Sequence, residues 1–379
     1  MATPIYFIAM TIAASTACWV LGRAAHEPDF SARDCNWAWI VVLALAGLFA
    51  VGLGENGFGT MRLFCYGLFG FAAGTAGYGA WLLRRRSRRA ALLLAIACAA
   101  LEAVAADAFL VEPRWLEVTY QTLASDKLSR PVRLAIIADL QTDRIGDYER
   151  GVMTRVMAEK PDVIVMAGDY LQEYNGRRRG ELRSKLRAIF KNLDFRAPLG
   201  VYAVGGNADL PDWPEIFVDT PITTIEATES FDLGQVVVTG LSVKDSFSAA
   251  TRLGPSDKFQ IVVGHYPNYA LGTIAADLLV AGHTHGGQVQ VPWLGPIMTL
   301  SLVPRRWASG TTRLEGGRTL IVSRGIGMER GFAPRLRFLC RPQLVIVDLV
   351  PFQSTVEAKT IAASPGTSQA FSGSNGGAP

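Results

Sequence analysis

Histidine and cysteine are scarce in this chain, and charged residues are few. Four histidines occur in 379 residues: His26, His265, His283 and His285. Of the five cysteines, Cys18, Cys35, Cys65 and Cys98 lie in or beside apolar segments of the first third, leaving only Cys340 beyond. That distribution excludes a disulfide framework and a cysteine-ligated zinc site in the remainder. Charged residues make up 18% of the chain and the net charge is +4, too mild an excess to argue for nucleic acid, which is not expected as a partner. No Lys or Arg precedes Arg23. The first apolar stretch therefore lacks the basic leader of a cleaved signal peptide and reads as a retained helix. No internal repeat is found.

What the chain does have is apolar residues, which make up 50% and crowd its beginning. Four stretches, near 4–21, 37–54, 63–83 and 90–111, approach the roughly 20 residues that a spanning helix needs. They predict a four-helix transmembrane region over 1–111, with the bilayer as partner and an integral, multi-pass location. Glu102 and Asp107 interrupt the fourth stretch, and carboxylates are costly in lipid unless neighbouring helices shelter them. Arg84, Arg85, Arg86, Arg88 and Arg89 crowd the link between the third and fourth stretches, so that link is expected in the cytoplasm. Four spans then deliver the rest of the chain to the non-cytoplasmic side; three would leave it at the cytoplasmic face.

Beyond Glu112-Pro113 short apolar runs alternate with polar, helix-like segments. Val132–Ala138, Val163–Ala167, Val201–Val204, Val236–Leu241, Ile261–Gly264, Leu278–Ala281, Leu320–Ser323 and Leu344–Leu349 read as strands. Several are continuous β-branched runs, as strands buried on both faces are. Helices are expected near 149–159 and 178–192. The alternation predicts an α/β domain over 112–350. The Ser-, Gly- and Ala-rich remainder, 351–379, reads as a disordered tail.

Three of the four histidines follow strands. His283 and His285 stand in Ala-Gly-His-Thr-His-Gly-Gly, where alternate residues can face one way and the glycines admit a bound group closely. Asp139 ends one strand, Asp169 follows another in Ala-Gly-Asp, and Asn207 follows a third in Gly-Gly-Asn-Ala-Asp. Asp139 alone could cap a turn, and His265 alone could be a satisfied core residue. Together, polar groups at the ends of successive buried strands mark where α/β folds gather their sites. Imidazoles and carboxylates suit divalent metals, and a carboxylate shared by two cations holds them about 3.5–4 Å apart.

The ordered motifs Ile137-Ala138-Asp139-Leu140-Gln141, Met166-Ala167-Gly168-Asp169, Gly206-Asn207-Ala208-Asp209, Gly264-His265 and Gly282-His283-Thr284-His285-Gly286-Gly287 resemble those of calcineurin-like metallophosphoesterases, in particular a membrane-anchored branch. The resemblance covers about 112–350. It implies a β-sandwich flanked by helices and two divalent metals. Asp139, Asp169 and His285 would hold one metal; Asp169, Asn207, His265 and His283 would hold the other. Asp169, Asn207 and His265 are the residues expected to serve catalysis directly.

Two positions depart from the usual pattern. Gln141 stands where a metal-binding histidine is common; its oxygen is a harder donor, which favours Mn²⁺ over Zn²⁺, with Mg²⁺ and Fe²⁺ as alternatives. Ala208 replaces the histidine that helps protonate the leaving group, help worth roughly 10²–10⁴-fold. Phosphate leaves without such help and an alkoxide does not. The expectation is therefore a phosphodiesterase or diphosphatase rather than a monoesterase. The resemblance to UDP-diacylglucosamine diphosphatases, which likewise lack that histidine, implies a lipid-linked or nucleotide-linked substrate such as a UDP-diacylglucosamine-like molecule. Should another residue supply the proton, Asp143, Asp209 and Tyr266 come first. The alternative is a membrane sensor or scaffold whose phosphoesterase-like domain turns little or nothing over. Finally, Arg179, Arg183, Arg187 and Lys191 recur every four residues. They are either a solvated helix face or a stripe that meets lipid headgroups or substrate phosphates.

Overall fold

The computed structural model describes residues 2–352; the expected tail lies, beyond Phe352, outside the described residues. The chain opens with helices α1 (Ala2–Ala24), α2 (Ala32–Leu53), α3 (Gly57–Tyr66), α4 (Ala73–Leu83) and α5 (Arg88–Ala106), with a π-helical segment, Gly67–Ala72, joining α3 to α4. Small residues face inward: Ala46, Ala50 and Ala72 pack with Tyr6, Met10, Val42 and Leu63. A Cβ on Gly67 would collide with Ala46 and the Tyr6 hydroxyl. Large apolar residues face outward, among them Ile8, Ile12, Trp37, Val51, Leu92 and Leu93. That inversion of the soluble pattern suits packing in lipid, where close backbone approach rather than apolar burial holds helices together.

Among the described residues three helical segments are long and apolar enough to cross a membrane: Ala2–Ala24, Ala32–Leu53 and Arg88–Arg114. These cover the first, second and fourth of the expected spans. The segment from Gly57 to Leu83 is helical throughout, but glycine and tyrosine dilute its hydropathy, and its small residues are spent on packing against α1, α2 and α5. Glu102 is exposed on α5. The two links at the far end are tied together, since Arg86 donates to the carbonyls of Ala25, Glu27 and Pro28. At the near end the Glu112 carboxylate accepts the backbone N–H groups of Leu339 and Cys340, and Arg337 N–H donates to the Ala108 carbonyl. The bundle and the domain are thus joined through buried polar contacts.

The domain is a sandwich of two six-stranded sheets. The first has the order β1 (Glu117–Ser125), β14 (Gln343–Pro351), β2 (Val132–Ile137), β3 (Val163–Ala167), β4 (Val201–Val204) and β5 (Ile222–Ile225). The second has the order β12 (Gly310–Arg313), β13 (Thr319–Val322), β9 (Leu278–Ala281), β8 (Phe259–Val263), β7 (Val236–Gly240) and β6 (Glu229–Asp232). A two-stranded hairpin, β10 (Gln290–Val291) with β11 (Gly295–Pro296), projects from it.

Alternation along β2 shows why the interior strands are apolar on both faces. Leu134 and Ile136 enter the core between the sheets, with Val165, Ile261 and Val280. Ala135 and Ile137 face α6 (Asp147–Ala158) and α7 (Gly176–Asn192), against Met153, Val156, Leu186 and Ile189. Each such leucine, isoleucine, valine or methionine contributes about 1.5–3 kcal/mol by leaving water. Strands β2 to β5 run parallel, as do β7, β8, β9 and β13. Parallel pairing within each sheet sends successive strand-end loops to a common edge, as open α/β sheets do at their binding sites.

Candidate metal centre

Those loops carry Asp139 and Gln141 after β2, Asp169 after β3, Asn207 after β4, His265 after β8, and His283 and His285 after β9. Backbone contacts bind the loops to one another. The Gln141 N–H donates to the Asp169 carbonyl at 2.7 Å, and the Gly282 N–H to the His265 carbonyl at 3.0 Å. Asp139, Gln141, Asp169, His283 and His285 all adopt positive φ, between 30° and 70°. Non-glycine residues are held there only where the surroundings over-determine them, and such positions cluster at functional sites.

The donor atoms converge. Asp139, Asp169 and His285 are buried and offer ligand atoms within 4.8 Å of one another. On the other side of Asp169, His265 Nε2 lies 3.3 Å from Asp169 Oδ2 and 2.8 Å from Asn207 Oδ1, and His283 Nδ1 lies 2.8 Å from the same Asn207 oxygen. Each of these imidazoles is anchored through its other nitrogen. His265 Nδ1–H donates to the Ala167 carbonyl at 2.8 Å, and His283 Nε2–H to the Leu300 carbonyl at 3.1 Å. A carbonyl only accepts, so the anchored nitrogen of each ring carries a proton and the inward nitrogen is the one placed to ligate, the tautomer that a metal ligand needs.

Electrostatics agree for His283 and His285, whereas at His265 burial is outweighed by the Asp169 and Asp139 carboxylates, which push its pKa up to about 9 among these residues alone. Burial, together with the His265 charge, lowers the His283 pKa to about 4. Burial and the Arg337 guanidinium hold His285 well below its ordinary value. Both rings are therefore neutral at pH 7. Burial pushes Asp139 up, with the nearby Asp169 carboxylate adding to it. Burial opposes ionisation of Asp169 too, but His265 and the Ala208 N–H outweigh it and hold the group below the usual range.

Three buried polar atoms here have no hydrogen-bond partner among the described residues: Asp139 Oδ2, Gln141 Oε1 and His285 Nδ1. Gln141 Nε2 donates to Glu329 Oε2 at 2.9 Å and to Gln172 Oε1 at 3.2 Å, which fixes its amide and leaves Oε1 free. Buried acceptors left unpaired are costly, about 1–3 kcal/mol each. A divalent cation would satisfy all three, so the donor set fits one.

The three proton donors considered from sequence differ in placement. Asp209 accepts the backbone N–H groups of Asp169, Tyr170 and Gly206, each at 2.8 Å, and so braces the loops. Asp143 pairs with Arg335 and Arg330. The Tyr266 ring packs against His283 at 4.3 Å between centroids. The basic stripe lies on α7 but is not a free cationic face. Arg179 and Arg183 pair with Asp212, Arg187 donates to the Glu215 carbonyl, and Lys191 meets Asp219. The stripe clamps the 212–219 segment, because acidic groups there neutralise it.

Sequence reasoning passed over Glu329, Gln172 and Arg337. Glu329 orients Gln141, and Arg337 is fully buried beneath Asp139 and His285. For Glu329 and Arg337 the only sequence signal is a polar, glycine-punctuated stretch, Arg324 to Arg337, that follows an apolar strand.

Sandwich, converging loops and buried carboxylate–imidazole cluster together define a metal-dependent phosphoesterase domain. Residues 132–287 match the calcineurin-like phosphoesterase family. Among its relatives is the uncharacterized metallophosphoesterase YkuE of Bacillus subtilis, 26% identical over 63% of this chain and 87% of that protein. Phosphodiesterase YaeI of Escherichia coli is 26% identical over 63% of this chain and 90% of its own length. An uncharacterized metallophosphoesterase of Aquifex aeolicus is 26% identical over 63% of this chain and 94% of its own.

Proposed function

We propose that this chain is a membrane-anchored hydrolase that uses two divalent metals to cleave phosphodiester or diphosphate bonds. The observation that carries the reading is Asp169, set between two groups of donors: Asp139 and His285 on one side, Asn207, His265 and His283 on the other. Two divalent ions, when bound, supply Lewis acidity toward the phosphoryl oxygens and activate water for attack. Asp139, Asp169, His285 and the Gln141 oxygen would hold one; Asp169, Asn207, His265 and His283 would hold the other. Four of these seven residues offer oxygen, which favours Mn²⁺ among the available cations.

The adjoining cavity, about 310 Å³, is lined by Asp169, Asn207, Ala208, His283, His285 and Glu329 among others. Ala208 places a methyl group where a histidine would protonate the departing oxygen, and its own N–H instead holds Asp169 Oδ1 at 2.7 Å. Asp209, adjacent to it, is committed to backbone N–H groups. The reaction therefore favours leaving groups that are stable as anions. The domain lies at the end of the bundle opposite the arginine-rich links, which supports a non-cytoplasmic active site.

The test uses the full chain in detergent with each metal in turn, against bis(p-nitrophenyl) phosphate, diphosphates and alkyl monoesters. Aryl diesters and diphosphates should turn over at least 10²-fold faster than alkyl monoesters, and Ala208→His should narrow the gap. A flat leaving-group dependence would refute the assignment at position 208. Two bound metal equivalents with no turnover of any substrate would favour the sensor or scaffold reading, which the absent proton donor supports.

A further inference from the structure

The cavity beside the metal cluster is built by two parts of the chain that no single motif joins. One wall is polar and holds Asp169, Asn207, His283 and Glu329; the other is apolar and includes Phe58 and Met61 of α3 with Ile297 and Leu300. Phe58 and Met61 belong to the helical bundle, at the end that meets the domain. Arg62, one residue further along, donates to the Gly331 carbonyl at 3.0 Å and lies over the Phe332 ring.

The second contributor is the segment carrying the β10–β11 hairpin and the loop after it. The Trp293 side chain at its tip is fully exposed, and Leu294, Ile297, Leu300 and Leu302 are each at least 49% exposed. Trp293 and Leu300 both adopt positive φ, a costly conformation for bulky residues, so these apolar side chains are held outward by backbone geometry. Through the Leu300 carbonyl the same segment anchors His283. An indole tip backed by leucines is the composition of a membrane interface, where tryptophan is enriched. The helices likewise expose Ile5, Val51, Leu110 and Val111 toward their domain ends.

We propose that the 291–302 segment dips into the leaflet that borders the domain, and that the metal cavity is loaded from it with an amphipathic phosphoester. Its alkyl chain lies against Phe58, Met61, Ile297 and Leu300, and its phosphate faces Asp169, Asn207 and His283. This deepens the proposed function, on which it rests for the chemistry, and it commits to a lipid rather than a free nucleotide. Water supplies the oxygen added to phosphorus. The cleaved P–O bond gives a phosphate monoester and a leaving group stable as an anion, a second phosphate monoester or a phenolate, with the protons of water passing to solvent and no oxidant or further co-reactant.

The experiment compares bis(p-nitrophenyl) phosphate with p-nitrophenyl alkyl phosphates of increasing chain length, using the full chain in lipid nanodiscs. KM should fall roughly fourfold for each added methylene until the cavity is filled, as burial of one CH₂ implies. Phe58→Ser should flatten that dependence. In the same nanodiscs, brominated lipids should quench a component of the emission that Trp293→Phe removes. Trp293→Ser with Leu294→Ser should slow the long-chain esters while sparing the soluble aryl diester.

An active enzyme with no chain-length gain would overturn the proposal and leave the phosphodiesterase reading intact. An unquenched Trp293 would overturn the membrane contact. Failure of the aryl diester with every metal would sink the phosphoesterase reading instead, and Trp293 quenching would still decide where the loop sits.

Discussion

Replacing Arg337 with methionine tests how the site is supported from below. Arg337 is wholly buried, and its guanidinium donates to four backbone carbonyls: Arg324, Gly325, Gly327 and Cys340. These acceptors belong to the loop that closes over Asp139. Ile326 N–H bonds the Ala138 carbonyl at 2.9 Å, and Gly327 N–H bonds the Asp139 carbonyl at 2.7 Å. Methionine fills much of the volume but donates nothing. Four buried acceptors left unpaired would cost about 4–12 kcal/mol at 1–3 kcal/mol each. Removing the charge recovers its desolvation penalty, several kcal/mol, so the net loss should be about 3–5 kcal/mol. At about 2–4 °C per kcal/mol for a domain of roughly 150–250 residues, Tm should drop by about 6–20 °C. Thermal unfolding in detergent, followed by tryptophan fluorescence, measures this, and amide hydrogen exchange should show lost protection across 324–341. Arg335→Met is the control. Arg335 is half-exposed and pairs with Asp143 at the surface, so its loss should cost under about 1 kcal/mol. A Tm for Arg337→Met within about 2 °C of the parent would refute the reasoning, because the carbonyls would then have found other donors.

Three further outcomes follow from the cluster's geometry. Asp169→Asn should reduce metal content, read by mass spectrometry, from two equivalents to one or none; two retained equivalents would show that Asp169 is not shared. Gly206→Ala replaces no proposed ligand, yet its Cβ would collide with Asp169 Oδ1 and the Asp169 backbone nitrogen. It should lower kcat/KM by about 10²-fold, as misplacement of a reacting group by about 1 Å does, while the circular dichroism spectrum stays unchanged. Gln141→His should shift the ranking of supporting metals toward Zn²⁺; an unchanged ranking would remove Gln141 from the ligand set.

The eight strand segments read from the sequence correspond to β2, β3, β4, β7, β8, β9, β13 and β14, which are the eight interior strands of the two sheets. The four sandwich strands not read, β1, β5, β6 and β12, are the four sheet edges. An interior strand of a sandwich with covered faces is apolar on both sides and therefore appears as a continuous run. An edge strand such as Glu117–Ser125 or Glu229–Asp232 is half-exposed, carries polar residues, and is indistinguishable locally from a loop. β14 also extends to Pro351, past the expected limit, because parallel pairing with β1 carries it there.

The strand-end placement of Asp139, Asp169, Asn207, His265, His283 and His285 was legible for the same reason, since each lies one to four residues past one of those apolar runs and is flanked by glycine or alanine. Local composition, strand period and motif order are properties of neighbouring residues, and these the sequence determined by itself. Contacts between distant segments were decided only in the tertiary structure. Arg179 and Arg183 look like a free cationic face until Asp212 is brought against them, 29 to 33 residues away. Glu329 orients Gln141 across 188 residues, and Phe58 and Met61 reach the cavity from the far end of the chain. Nothing in a local pattern specifies such partners, because a side chain's charge or shape limits what it can meet without saying which segment the fold will bring to it.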